Sequence, residues 1–328
     1  MKQFVIAGLL LLGVQASALA TAFNVGDVFA SVGNGLVNVY KQNGTFVVTL
    51  DTTKGGFTTG STFDKTGNFY VTAFSSNVVS KFDATGNLVN SSWATGIASN
   101  ESIVFDAAGS AYIGNAGAAA IRKVNSSGTT VFDYTGLGSN TDWIDLAADQ
   151  TTLFYSDESN TIRRWDTVTN SALPNFVTGA FGSLYAKRIR PNGDVLAASS
   201  LGNVYRWDST GTLQQTYAIG IGSVFAMNLD PSGTSFWTGS TGGQAIRQIR
   251  ISDGAVLNSW NSSGQLFGLS VLGEVQAGGG GVGTVPEPAT YGLIAAGLAL
   301  VALRRRSTRM YQIGTDEKVS LDRKGELL

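Results

Sequence analysis

The sequence contains no cysteine and no histidine. The first absence excludes disulfides, thiolate metal sites and a cysteine nucleophile. The second removes the side chain that most often does general acid-base work near neutral pH, which is also the commonest transition-metal ligand. Proline is scarce at 5 of 328 residues, and Asp, Glu, Lys and Arg together supply only 14%. The formal net charge is −1, and the basic residues are scattered apart from Arg163-Arg164, Lys187-Arg188-Ile189-Arg190 and a late arginine run. No one-sided basic field exists to follow a phosphate backbone, so nucleic acid is not an expected partner. What is abundant is Gly, with Ser, Thr, Asn and Val, the composition of short strands joined by tight turns. The expected class is all-β, and barrels or propellers of this length are often single units.

Both ends read as addresses. Lys2, the apolar run Phe4 to Val14 and the small residues ending in Ala18-Leu19-Ala20 have the three-part layout of a cleavable secretory signal, which predicts export and cleavage after Ala20. Near the other end, residues 276–284 include a glycine run expected to act as a flexible linker. Then come Val285-Pro286-Glu287-Pro288, an apolar stretch to Leu303, and Arg304-Arg305-Arg306. A helix from Ala289 to Leu303 would rise roughly 22 Å against a hydrocarbon core of about 30 Å. Such a helix inserts only by thinning the bilayer or letting its flanks adapt, with the arginines on the cytoplasmic side, which suits a temporary anchor better than a permanent one.

This arrangement closely resembles the PEP-CTERM sorting signal of Gram-negative bacteria that make exopolysaccharide. The resemblance covers Val285 to Arg306, where motif, spacing and charge agree. It implies recognition and cutting by exosortase, a membrane-embedded cysteine protease, with Pro286, Glu287 and Pro288 as recognition residues of a substrate. It also implies an inner-membrane-anchored intermediate that passes to the cell surface or extracellular matrix. Residues 307–328 depart from that pattern, continuing past the arginines as a polar, charge-mixed tail that is expected in the cytoplasm.

The body between these addresses repeats. Tyr40, Phe82, Val124, Trp165, Trp207 and Ile249 each precede a turn and are separated by 42, 42, 41, 42 and 42 residues. A second set precedes turns in the other half of each unit, at Phe63-Asp64, Phe105-Asp106, Leu146-Ala147, Ile189-Arg190 and Leu229-Asp230. Four short strands in a period near forty mark a β-propeller blade. The first unit begins at Val28-Phe29-Ala30 without an inner strand, while Phe267 to Leu272 is left over at the end. Placing that strand in the first blade closes a six-bladed ring over residues 21–275 and removes two open sheet edges. The units are similar to NHL repeats, with Ile103 to Gly128 the best match. Trp165-Asp166 and Trp207-Asp208 also occur in WD repeats, but with no Gly-His pair before them these tryptophans are expected in the blade core.

Propeller ligand sites lie on loops leading into the innermost strands. There, Asn100, Glu101, Asp142 and Asp145 are the oxygen-ligand set suited to Ca²⁺ or Mg²⁺. That set is similar to the channel metal site of gluconolactonase-like six-bladed enzymes, which implies the alternative reading of a metal-dependent lactonase-like hydrolase. The leading expectation is a non-enzymatic binding or scaffold module with no cofactor and no catalytic residues. Its expected partners are exosortase, the inner membrane before processing, and extracellular polysaccharide or other surface proteins.

Overall fold

The turns that recur along the chain are built by the short polar residues the repeat supplies. In the computed structural model, which describes residues 23–280, the Asp64 carbonyl accepts the Gly67 N–H at 3.0 Å, and its Oδ1 accepts the N–H groups of Thr66 and Asn68 at 2.9 and 3.1 Å. Gly67 has φ +82°, a conformation that costs a residue without a Cβ nothing. The same Asp/Asn-x-x-Gly turn recurs at Asp83, Asp106, Asn125, Asp208 and Asp230. Each turn joins two antiparallel strands and fixes their register.

Six four-stranded antiparallel sheets result. Five are continuous in sequence, with inner strands Thr58–Phe63, Asn100–Phe105, Trp143–Leu146, Leu184–Ile189 and Val224–Leu229. The first blade takes its inner strand, Gly268–Val271, from the far end of the described chain. It pairs antiparallel with Val28–Ser31, with Val28 opposite Val271 and Ser31 opposite Gly268. The body is therefore an all-β six-bladed propeller whose ring is closed by its last strand, as the repeat arithmetic predicts. Among the described residues there is no α-helix, and Phe74–Ser76 forms a 3₁₀ turn. The segments expected as signal peptide, membrane helix and tail lie outside the described residues.

The core is divided among the blade interfaces. Six clusters of buried apolar side chains occur, one for each pair of neighbouring blades. Phe29 of the first blade meets Phe63 and Phe69 of the second at centroid distances of 4.9 and 4.8 Å, and Tyr70 of the second meets Phe105 of the third at 4.8 Å. All six residues of the 42-residue series are buried, because each points from a third strand into such an interface. Trp165 and Trp207 sit in the clusters on either side of the fourth blade, as expected for core tryptophans.

The expected linker, residues 276–284, begins on the ring. After Val271 the chain crosses the mouth at which the inner strands end, here called the lower mouth. Glu274 meets Arg188 of the fifth blade at 2.6 Å and accepts the Leu229 N–H of the sixth at 3.1 Å. Gln276 donates to Thr62 of the second blade at 2.9 Å, and the Gly278 carbonyl accepts from Gln150 of the fourth at 2.8 Å. A Cβ on Gly280 would lie 2.1 Å from the Phe105 carbonyl oxygen of the third blade. The glycines in 278–280 thus allow close approach of backbone to backbone, which a reading based on glycine flexibility overlooks. This strap, Leu272 to Gly280, closes the lower mouth.

Candidate functional site

The opposite, upper mouth is where the inner strands begin, and it gathers acids that form no ion pair among the described residues. Glu101, second residue of the third blade's inner strand, and Asp142, immediately before that of the fourth, are only 6% and 5% exposed. Burial, and then the nearby carboxylates of Asp142 and Glu158, raise the Glu101 pKa well above its usual range. Burial likewise pushes Asp142 up to about 7, assisted by Glu158 and Asp157 and opposed by Lys187. Glu158 lies on the exposed loop after the fourth blade's second strand, at φ +58°, and its own carboxyl is raised by burial. Trp143, which follows Asp142, packs with Tyr185 and Phe225 of the next two blades, with Phe225 4.8 Å from Tyr185 and 5.1 Å from Trp143.

Lys187, the cation that opposes the rise at Asp142, is fully buried. Its Nζ donates to the Trp143 carbonyl at 2.6 Å and to Ser156 Oγ at 2.7 Å, contacts that satisfy protons without neutralising a charge. Burial therefore lowers it to about 7 against the pull of Asp145 and Asp142. The neighbouring Arg188 faces the lower mouth instead and pairs with Glu274. Its charge is held strongly, since the nearby Glu274 and Asp145 carboxylates outweigh the cost of burial and its pKa is raised.

The four residues expected to share a metal do not converge. Asp145 Oδ2 accepts the Ile189 N–H at 2.7 Å and Oδ1 the Leu146 N–H at 3.0 Å, beside Arg188 and Glu274 at the lower end. Burial still pushes Asp145 up to about 6. Asn100 turns its amide away, with Nδ2 donating to the Val78 carbonyl at 2.7 Å and Oδ1 buried without a partner. Only Glu101 and Asp142 remain together at the upper mouth, and among the described residues no group of three or more acids is placed to hold a metal ion. Two carboxylates fall short of the many-oxygen cage that Ca²⁺ takes.

The upper-mouth acids carry a pH signature. An acid whose folded pKa lies above its unfolded value destabilises the fold as it ionises, so stability is lost as pH rises from about 4 through about 7. Asp142→Asn removes this cost while preserving shape. We expect it to raise the melting temperature by a few °C at pH 8 and to leave it unchanged at pH 4. Thermal denaturation of both proteins at the two pH values measures this, and equal shifts at both would count against a buried ionising carboxyl.

Residues 284–306 match the PEP-CTERM protein-sorting motif. The chain carries a PEP-CTERM sorting signal. The motif implies an exported protein targeted to exosortase at the membrane, and it lies outside the described residues. No curated protein matches the chain. Among solved structures, the chain is similar to the WD40 β-propeller domain of Doa1, at 13% identity over 73% of this chain and 79% of that one, with a TM-score of 0.57. It is also similar to a chain of a nidogen/laminin complex, at 11% identity over 77% of this chain and 99% of that one, with a TM-score of 0.62. At such identities the likeness shows the propeller fold of this chain and nothing about its ligand.

Glu158 sits on a loop between the second and third strands of its blade, away from the loops leading into inner strands, so the sequence pattern does not mark it. Glu274 is likewise unmarked, because its neighbours look like the start of a linker. Lys187 and Arg188, neighbours in sequence, have separate partners, Lys187 with Trp143 and Ser156 and Arg188 with Glu274.

Proposed function

We propose that this PEP-CTERM protein is a binding or scaffold module of the cell envelope, released or transferred by exosortase to the cell surface or exopolysaccharide matrix. The observation that carries this reading is a closed propeller whose described chain runs to Gly280, packed against the ring, with the sorting motif starting at residue 284. Cutting within the motif would leave the closing strand and the strap in place. With the lower mouth covered, ligands or partner proteins have the upper face and the blade edges to bind.

Deleting residues 285–306 and fractionating the culture tests it. The truncated protein should lose its surface or matrix association at least tenfold and accumulate in the soluble exported fraction. Undiminished surface retention would sink the proposal.

A further inference from the structure

Three blades carry an arginine two residues before the repeating anchor, Arg122, Arg163 and Arg247. Arg163 of the fourth blade pairs with Asp157 at 3.3 Å, and the other two differ in their partners. In the third blade, Arg122 lies opposite Asp133 of the outer strand. Its Nε and Nη2 donate to the two Asp133 carboxylate oxygens, both at 2.7 Å, and Nη1 caps the carbonyls of Thr95 and Gly96 at 2.9 and 3.0 Å. In the sixth blade, Arg247 occupies the equivalent position, and its Nη1 caps the Ile219 carbonyl in the same way. The outer-strand residue opposite it, however, is Ser259. Arg247 Nε is buried without a hydrogen-bond partner, and Arg247 forms no ion pair among the described residues.

The space beside the two arginines differs accordingly. Next to Arg122 and Asp133 the cavity is about 80 Å³, whereas the corresponding groove beside Arg247 is about 650 Å³. The larger groove lies within the usual size of small-ligand sites. Gly220 and Ile221 form one wall, and the amides of Gln244, Asn261 and Gln265 line it with groups that both donate and accept. No acid lines it. A planar guanidinium lacking its carboxylate, in a groove of amides, selects an anion with planar oxygens and neighbouring hydroxyls.

We infer that the sixth-blade groove binds a carboxylate-bearing sugar of the uronate class, the ligand carboxylate standing where Asp133 stands in the third blade. The amides take the ring hydroxyls, and Ile221 offers an apolar face. Arg247 Nε is shielded from solvent here, so the carboxylate meets Nη2 first and Nε after a small rotation of the guanidinium. This site rests on the binding-module reading above and names its ligand class.

The test is titration of the purified full-length chain, in mild detergent, with glucuronate, glucose and acetate, followed by calorimetry or NMR. Glucuronate should bind at least about tenfold tighter than either of the others, a difference of about 1.4 kcal/mol. Ser259→Asp, which supplies the missing carboxylate from within, should weaken glucuronate at least about tenfold by the same measure, with the melting temperature maintained. Arg247→Gln should do likewise, while Ser259→Asn, similar in size but uncharged, should keep binding within about threefold of wild type. Equal affinity for glucose or for acetate, or undiminished binding by Ser259→Asp, would overturn the assignment. If Ser259→Asp loses glucuronate while surface retention persists, the site stands apart from the surface role. If surface retention alone is lost on deleting residues 285–306, the site is unaffected.

Discussion

A chain ending at Asn261, and so lacking the closing strand and the strap, is expected to lose cooperative unfolding altogether. Gly268–Val271 supplies the whole inner strand of the first blade, and without it Val28–Ser31 becomes an open edge in the middle of a ring. The interface cluster of the sixth and first blades loses Leu266, Leu269 and Val271, all at most 3% exposed, and its partners Val28, Ala30 and Trp237 are uncovered. The loss is comparable to the entire stability of a domain, about 5–15 kcal/mol. Circular dichroism melting and native-state proteolysis of the truncated and intact chains measure it. A synthetic peptide of residues 262–280 should restore protection by adding a strand at the open edge. A truncated chain that melts as sharply and as high as the intact one would show that closure is dispensable.

The second large effect is expected from Glu274→Ala. The Arg188–Glu274 pair is buried, with side chains 11% and 3% exposed, and Glu274 also accepts the Leu229 N–H. Removing one partner of a buried pair leaves the other desolvated, at a cost of about 3–5 kcal/mol. For a body of this size that corresponds to a fall in melting temperature of roughly 10 °C. Glu274→Gln keeps an acceptor oxygen for Arg188 Nε and for Leu229 while removing the charge, so its loss should be smaller. If alanine and glutamine variants melt alike and within a degree of wild type, the strap is not held by this pair. Because Asp145 also lies beside Arg188, part of the arginine's charge remains compensated in both variants.

The fold was readable wherever the information is local. Asp64, Asp83 and Asp106 build the same turn because a carboxylate three residues before a glycine satisfies the turn's own N–H groups. Such turns at a regular spacing dictate strands, and strands at that spacing dictate blades. The candidate site was less readable. Asn100, Glu101, Asp142 and Asp145 share loops and strand starts in sequence, yet the inner strands are irregular. Pairing slips between Asn100 and Ile103, between Thr58 and Ser61, and between Leu184 and Lys187, whereas Trp143–Leu146 pairs without a slip. A bulge changes which face a side chain takes, so simple alternation does not say which acids meet.

The sequence by itself determined the number of blades, the strand that closes them and the sorting signal behind them, because each depends on residue order, period and composition over short stretches. Only the tertiary structure decided that Glu101 and Asp142 stay together while Asp145 turns to the far mouth. It also decided that the glycine-rich stretch starts as a strap, and that Arg247 lacks the carboxylate its counterpart Arg122 has. Each of these turns on contacts between blades, or across one sheet, that bring together residues far apart in the chain. Their cost or benefit is set by burial, which removes water as the alternative partner and which a linear pattern does not carry.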